Sequence, residues 1–216
     1  MNIDDTGPGL TQITLGLLAG GRGIRLGGVD KAWLCMNGVP LVLHWSRHFA
    51  IAIPAQLVSA NCQLQRYAEH GLQAVMDRHH AGPSKGNAVS ADASVDPIRL
   101  QGPLAGIDAL LAATTTRWLL TLPVDALQLP PDFIERIWNE RDEDGSVAAD
   151  ATGPQPLFAL YRVDHAQPLV EAALHDGDLA VHRLQARMSM GRVDFPGFRF
   201  GNLNTPTDLA TSGIAA

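Results

Sequence analysis

The feature that most constrains this chain is a glycine-rich segment that begins where a short apolar run ends. The run, Ile13–Leu18, is typical of a buried strand, and five glycines follow within the nine positions from 20 to 28. Such a backbone can adopt positive φ angles and can turn its N–H groups toward an anion. Arg25 and Lys31 add positive charge. The segment therefore predicts a phosphate-binding loop at the end of the first strand of an α/β sheet.

Two well-known kinds of phosphate loop do not fit this segment. A Walker loop places lysine directly after its second glycine, but Val29 follows Gly28. A dinucleotide-binding fingerprint requires a third glycine where Leu26 stands, and an acidic residue near position 41, where Leu41 stands. An ordinary glycine-rich turn remains the structural alternative, although such a turn has no need of two cations.

The distribution of lysine supports a role for Lys31. The chain has 16 lysine and arginine residues together, and its only lysines are Lys31 and Lys85. Chance within a biased composition is the simple explanation. A compact ammonium charge, however, is well suited to the mobile oxygens of a triphosphate.

Length, charge and cysteine content limit the class of protein. A chain of 216 residues fits one α/β domain. A net charge of -6 argues against nucleic acid or a membrane surface as a partner, because both attract basic faces. Cys35 and Cys62 provide neither a disulfide framework nor the paired spacing of a zinc site. The first twelve residues do not resemble a secretory signal, so the cytoplasm is the expected location.

Alternating strand-like and helix-like segments predict the fold class. Apolar runs at 13–18, 56–60, 72–76 and 118–122 indicate central strands, and helical patterns follow Pro40, Pro103 and Pro131. We expect an α/β Rossmann-like three-layer sandwich with a doubly wound, mostly parallel sheet. The whole chain, 1–216, is predicted to be one domain, with residues 1–12 disordered, 78–101 forming a long surface loop, and a closing helix from Pro206.

Polar residues and helix starts follow several of these strands. Asn61 follows the second predicted strand, Asp77 the third and Asp125 the fourth, while Gly102 begins a predicted helix. Because the carboxyl ends of parallel strands meet at one edge of a sheet, we expect these residues to lie close together.

Asp125 is the candidate metal ligand. Mg²⁺ keeps several waters and takes one or two protein carboxylates together with phosphate oxygens, so one aspartate at a strand end is sufficient. A turn-capping role for Asp125 is the alternative, and taken alone Asp77 fits a turn former equally well. His79 and His80 also lie near Asp77, but adjacent histidines diverge and no second cluster completes a tetrahedral metal site.

The order of these motifs resembles that of the molybdenum cofactor guanylyltransferases, within the nucleotidyltransferase superfamily. The pattern L-A-G-G-x-G-x-R-x-G-G-x-D-K at 18–31 carries most of the resemblance, and shorter matches follow through the chain. The resemblance implies transfer of GMP from MgGTP to the terminal phosphate of molybdenum-molybdopterin, with release of pyrophosphate. It implies a catalytic set of Arg25, Lys31 and Asp125, the last also binding Mg²⁺. It implies a nucleotide site formed by Leu18, Ala19, Gly20, Gly21, Lys31, Asn61, Asp77, Gly102 and Asp125.

The resemblance also bears on the base and the acceptor. The related cytidylyl enzymes usually have Leu-Ala-Ala-Gly where this chain has Leu-Ala-Gly-Gly at 18–21, which favours guanine. Asn202 and Asn204 resemble the pterin-side residues of the family, although a pair that fixes a turn is equally consistent with the sequence. Departures occur at Gln155, where histidine is common, and at Leu179 and Ala180, where paired arginines are common.

Two rival functions remain open at this point. One is a related nucleotidyltransferase that uses CTP or a sugar phosphate acceptor. The other is a non-catalytic module that binds a nucleotide or the cofactor. If the resemblance holds, the partners are GTP and molybdopterin, with other cofactor biosynthesis proteins and molybdoenzyme chaperones as further partners.

Overall fold

The computed structural model describes residues 9–20, 22–23, 29–78, 102–201 and 214–215 of the chain. Within these ranges, residues Leu10–Gln12 form a short 3-10 helix, and Leu10 packs against the core. Residues 1–8 of the segment predicted to be disordered lie outside the described residues. Most of the predicted 78–101 loop, and most of the closing helix from Pro206, lie outside the described residues.

The described part of the chain alternates strands with helices. The strands are β1 (Ile13–Leu18), β2 (Arg22–Gly23), β3 (Val29–Asp30), β4 (Cys35–Met36), β5 (Val39–Pro40), β6 (Gln56–Ser59), β7 (Ala74–Val75), β8 (Trp118–Pro123), β9 (Gly145–Asp150), β10 (Gly153–Arg162), β11 (Met190–Asp194) and β12 (Ile214–Ala215). The helices are α1 (Leu41–Phe49), α2 (Leu64–Glu69), α3 (Gly102–Ala113), α4 (Phe133–Asn139), α5 (Val163–Asp176) and α6 (Val181–Gln185). In this part of the molecule, no helix combines the length and the apolar character that crossing a membrane requires.

A seven-stranded sheet in the order β11-β9-β10-β8-β1-β6-β7 forms the centre of the fold. Strand β1 is parallel to both of its neighbours, β6 and β8, and the pairs β6–β7 and β9–β11 are also parallel. Strand β10 is antiparallel to β8 and β9, because the short connection between β9 and β10 allows a hairpin and is too short for a crossover. The predicted mostly parallel, doubly wound sheet is confirmed.

Helices cover both faces of this sheet. One apolar cluster joins β1 and β8 to α1 and α4, and a second joins the other face of the sheet to α3, α5 and α6. At Gly16 the approach of α3 to the sheet is close, since a Cβ there would lie 2.9 Å from a methyl carbon of Leu110 and of Leu119. The central strands and α3 are therefore held rigidly together.

The predicted third strand is shorter in the structure than in the sequence pattern. Residues 72–76 form an apolar run, but only Ala74 and Val75 pair with β6. Strand β7 is at the edge of the sheet and, among the described strands, pairs only with β6. Within that part of the chain, no second strand is present to extend its pairing beyond these two residues. Leu72 instead packs into the core, and Met76 is half exposed.

Arg78 joins the end of the β7 segment to two helices. Its guanidinium donates to both carboxylate oxygens of Asp108 on α3, at 2.8 and 2.5 Å, and to Glu171 on α5 at 2.8 Å. Asp108 is completely buried. These hydrogen bonds, above all those to Asp108, raise the pKa of Arg78. The cation is therefore the charge partner of a carboxylate in the interior.

We expect Arg78→Met to lower the free energy of unfolding by about 2–4 kcal/mol, because the variant removes the cation that compensates the buried carboxylate of Asp108. Urea denaturation measures the change. Arg192→Met is the matched control, since Arg192 pairs with Asp194 on the surface and both side chains are more than half exposed. Its effect should stay below about 1 kcal/mol. Equal effects of the two variants would contradict a special role for Arg78.

Asp150 fixes the turn between β9 and β10. Its carboxylate accepts hydrogen bonds from Thr152 N–H at 2.8 Å, Gln155 Nε2 at 3.0 Å and Phe200 N–H at 3.1 Å. Burial by itself raises the pKa of Asp150, but these hydrogen bonds and one from the Thr152 hydroxyl outweigh it, and the pKa falls below its ordinary value. The ionised form therefore stabilises the fold.

We expect Asp150→Asn to be less stable than the wild type near neutral pH. The difference in stability between the two proteins should shrink as the pH is lowered. The folded-state pKa is below the unfolded value of about 3.9, so the stabilisation is present above pH ~4 and is lost as the pH falls through the folded pKa. Melting temperatures of both proteins between pH 6 and pH 3 test this. Asp132→Asn changes an exposed position, and its melting temperature should follow that of the wild type at every pH. A gap for Asp150→Asn that stays constant down to pH 3 would contradict the assignment.

Candidate functional site

A cavity of about 350 Å³ opens at the carboxyl ends of the central strands. Its wall includes the end of β1, the end of β6, the residues after β7 and β8, and the first turns of α3. This is the edge at which open parallel sheets bind their ligands. The residues lining the cavity are Leu18, Ala19, Gly20, Lys31, Ser59, Asp77, Gly102, Pro103, Gly106, Pro123, Val124, Asp125 and Leu157.

Lys31 and Asp125 form an ion pair at this cavity. The ammonium Nζ lies 2.6 Å from Asp125 Oδ2, and the two side chains are 17% and 16% exposed. A short 3-10 helix, Lys31–Trp33, positions the lysine, and the Asp30 carboxylate caps this helix by accepting the Ala32 N–H at 3.0 Å. Asp125 is the second residue after the end of β8. The pair places a cation and a carboxylate, 94 residues apart in the sequence, at one place in the cavity wall.

Asp30, which is partly buried, supports this arrangement. Burial raises the pKa of its carboxyl, while the hydrogen bond from Ala32 N–H and the charge of Arg66 act in the opposite direction. The next turn is anchored by packing, because Ala32 and Trp33 are buried and the Arg66 guanidinium lies 4.0 Å from the Trp33 ring centroid. The backbone that carries Lys31 is therefore fixed on both sides of the lysine.

Asn61 and Asp77 form a second polar pair. Asn61 Nδ2 donates to Asp77 Oδ2 at 2.8 Å, and the Asp77 N–H donates to Asn61 Oδ1 at 2.9 Å. The two bonds orient both side chains, and Asp77 lines the cavity. The amide can donate hydrogen bonds to a polar ligand, and the amide oxygen and the carboxylate can accept hydrogen bonds from it.

The first turns of α3 form an apolar wall beside this pair. Gly102 has φ +66°, a left-handed conformation that other residues rarely adopt. At Gly106 a Cβ would lie 2.6 Å from Ser59 Oγ and 3.3 Å from Leu18 Cδ2, so only glycine lets the helix pass this close to β1 and β6. The glycines at both positions keep this side of the cavity open.

The donor set of the site fits a hard divalent cation that is shared with a ligand. Within the described ranges, no group of three or more histidine, cysteine, aspartate or glutamate side chains could hold a metal ion by itself. Asp125 offers one carboxylate, which is the number of protein ligands that Mg²⁺ uses when phosphate oxygens and waters complete its shell.

Most of the described residues that the sequence singled out lie at this cavity. Seven of them line it, namely Leu18, Ala19, Gly20, Lys31, Asp77, Gly102 and Asp125, and Asn61 contacts it through Asp77. Gly21, Arg25, Asn202 and Asn204 lie outside the described residues, as do His79 and His80.

Six cavity residues were not predicted as site residues, namely Ser59, Pro103, Gly106, Pro123, Val124 and Leu157. Two of them carry side chains that no pattern in the sequence placed at a site. Ser59 ends an apolar strand and resembles any strand residue in the sequence, and Leu157 lies on β10 in a stretch where the pairing with β9 is irregular. Among the departures noted above, Gln155 hydrogen-bonds to Asp150 at 3.0 Å and Thr152 at 2.9 Å, and Leu179 is exposed just before α6.

A sheet of this topology, with a cavity at its carboxyl edge and an ammonium–carboxylate pair in the cavity wall, defines a Rossmann-like nucleotide-binding protein. Residues 16–190 match the family model described as the MobA-like NTP transferase domain. The chain belongs to this family and is therefore a nucleotidyltransferase.

Individual relatives resemble the chain over most of its length. A protein named molybdenum cofactor guanylyltransferase from Vibrio campbellii is 32% identical over 207 residues, which cover 94% of this chain and 96% of the relative. A protein of the same name from Burkholderia ambifaria is 36% identical over 208 residues, which cover 92% and 94% of the two chains.

Solved structures show the same fold at lower identity. Molybdopterin-guanine dinucleotide biosynthesis protein A from Archaeoglobus fulgidus superposes with a TM-score of 0.62 at 20% identity, covering 92% of this chain and 96% of that one. The inositol-1-phosphate CTP transferase from T. maritima superposes with a TM-score of 0.63 at 12% identity, covering 96% of both chains. The fold is thus common to enzymes whose names indicate different acceptors.

Proposed function

We propose that this protein transfers GMP from MgGTP to the terminal phosphate of molybdopterin in molybdenum cofactor, releasing pyrophosphate. The observation that carries the proposal is the Lys31–Asp125 pair in the wall of a nucleotide-sized cavity at the carboxyl edge of the sheet. The names of the relatives that are 32% and 36% identical supply the acceptor and the base.

The polar groups of the cavity suggest how a nucleoside triphosphate lies in it. The triphosphate belongs beside Lys31 and Asp125, where an ammonium lies next to a carboxylate that can hold Mg²⁺. The nucleoside belongs beside the Asn61–Asp77 pair and the apolar first turns of α3. Gly21 and Arg25 are proposed to keep the roles that the family resemblance implies, Gly21 in the nucleotide site and Arg25 in catalysis.

The reaction requires positioning and charge compensation more than it requires a nucleophile from the protein. A phosphate oxygen of the acceptor attacks the α-phosphorus of GTP, a new P–O bond forms, and the bond to the β-phosphate oxygen breaks as pyrophosphate leaves. Both reactants are anions, so the protein must hold them in line and reduce their repulsion. Lys31, Arg25 and the loop N–H groups supply positive charge and hydrogen-bond donors for this purpose. A magnesium ion held by Asp125 would neutralise further phosphate charge.

The acceptor side of the proposal rests on the family resemblance. Asn202 and Asn204 are proposed to bind the pterin. Gln155 and the Leu179–Ala180 pair replace the family's usual residues, so the hold on the acceptor is proposed to differ from that of relatives that keep the histidine and arginines.

Transfer of label from [α-³²P]GTP to molybdopterin tests the function directly, with release of pyrophosphate measured in the same reaction. The proposal predicts a labelled guanine dinucleotide and an equal amount of pyrophosphate, both dependent on Mg²⁺. Parallel reactions with [α-³²P]CTP, and with a sugar phosphate as acceptor, test the rival activities. A faster reaction with either rival substrate, or GTP binding without any product, would contradict the proposal.

A further inference from the structure

Ser59 carries a buried hydroxyl that differs from those of the other buried serine and threonine residues in the described part of the chain. The residue is 1% exposed, and its Oγ has no hydrogen-bond partner among the described residues. The other buried serine and threonine hydroxyls do have partners. Thr14 bonds to Thr116 at 2.8 Å, Thr121 to the Leu157 carbonyl at 2.9 Å, and Ser146 to the Ile137 carbonyl at 2.7 Å.

An unsatisfied buried hydroxyl is costly, because it loses its hydrogen bonds to water without gaining others. Its position indicates what the missing partner is. Ser59 lines the cavity, and its Oγ stands between two glycines that also line it. A Cβ on Gly106 would lie 2.6 Å from this oxygen, and a Cβ on Gly20 would lie 3.7 Å from it. The hydroxyl is thus bordered by positions that carry no side chains.

The same geometry places the hydroxyl on the side of the cavity where the proposed orientation puts the nucleoside. The Gly20 Cβ position is 3.7 Å from Ser59 Oγ and also 3.7 Å from Asn61 Nδ2, so the hydroxyl and the Asn61 amide border the same glycine. The ammonium of Lys31 is instead bound to Asp125. Because the proposed orientation puts the nucleoside beside Asn61 and Asp77, the base or the ribose is the part of the ligand expected nearest to the hydroxyl.

We propose that the Ser59 hydroxyl hydrogen-bonds the nucleoside part of the bound nucleoside triphosphate and so helps to select a nucleotide over other polyphosphates. The inference rests on the proposed function for the orientation of the nucleotide. A hydroxyl both donates and accepts, so it can satisfy either kind of polar atom on a base edge or a ribose. Binding then supplies the partner that the protein itself does not.

The test compares Ser59→Ala with Ser146→Ala, which also removes a buried serine hydroxyl but one that is already bonded within the protein. Calorimetry with GTP and with inorganic tripolyphosphate gives dissociation constants, and thermal denaturation gives Tm. Ser59→Ala should raise the dissociation constant of GTP about 3–10-fold, because one neutral hydrogen bond is lost. The dissociation constant of tripolyphosphate should not change. The Tm of Ser59→Ala should equal or exceed that of the wild type. Ser146→Ala should lower Tm and leave GTP binding unchanged.

Unchanged GTP affinity in Ser59→Ala would overturn the inference, as would equal weakening of both ligands or a fall in Tm like that of Ser146→Ala. Each of these results shows that the hydroxyl does not bind the nucleoside selectively. The GMP transfer assay on the wild type separates the two proposals. Transfer by the wild type with unchanged affinity in Ser59→Ala rejects this inference alone. Selective loss of GTP affinity without any transfer by the wild type rejects the proposed activity alone.

Discussion

Replacement of Lys31 with alanine should lower the rate of nucleotide transfer by roughly 10²–10³-fold while the fold survives. The ammonium lies in the cavity wall 2.6 Å from Asp125, where it can compensate charge that builds up on the phosphates during transfer. The side chains of the pair are only 17% and 16% exposed, so losing the lysine should also cost about 1–3 kcal/mol of stability, which lowers Tm without unfolding the protein. Steady-state kinetics with saturating acceptor, together with the Tm of each variant, measure both effects.

Two further variants serve as comparisons for Lys31→Ala. Lys31→Arg keeps the charge but replaces a compact ammonium with a planar guanidinium, so we expect partial recovery of the rate. Arg192→Ala removes a cation from the surface strand β11 and should leave the rate at the wild-type level. A near-normal rate for Lys31→Ala would refute its role in transfer.

Asp125→Asn should lower the transfer rate by a similar factor, about 10²–10³, and weaken the dependence on Mg²⁺. The amide keeps the size of the side chain but loses the negative charge that a hard divalent cation requires. Rates measured across a range of Mg²⁺ concentrations test this, since the wild type should saturate and the variant should need much more metal. Removal of Mg²⁺ with a chelator should abolish transfer by the wild type.

The matched control for Asp125 is Asp132→Asn, which changes an exposed carboxylate just before α4. We expect wild-type rates and a wild-type Mg²⁺ profile from it. If Asp125→Asn kept the wild-type Mg²⁺ profile, Asp125 would be a structural turn residue, and the metal would be bound elsewhere.

The central strands and the individual candidate site residues could be predicted from the sequence. The contacts between those side chains could not. The apolar run at Ile13–Leu18 is a local pattern and appears as β1 with the same bounds. The contact between Lys31 and Asp125 joins residues 94 positions apart and depends on how β1 and β8 pair, which no local pattern records. The same holds for the two hydrogen bonds between Asn61 and Asp77.

Other features escaped sequence reasoning for a related reason. Strand β10 turns antiparallel within a mostly parallel sheet because only two residues separate it from β9, and that hairpin brings Leu157 to the cavity. In the sequence, Ser59 looks like an ordinary strand residue. Only the structure shows that Gly106 approaches it closely and that its hydroxyl lies in the cavity wall. Local propensity predicts elements, whereas tertiary packing decides which side chains meet.

The most direct test of the account is a crystal structure with Mg²⁺ and a GTP analogue whose α,β-bridging oxygen is replaced by a methylene group, so that the bond cannot be cleaved. We predict that the triphosphate contacts Lys31, that the metal joins Asp125 to the phosphates, and that the nucleoside lies against Ser59 and Asp77. A nucleotide bound elsewhere on the protein, or one bound here with its phosphates beside Asp77 and its base beside Lys31, would contradict the account.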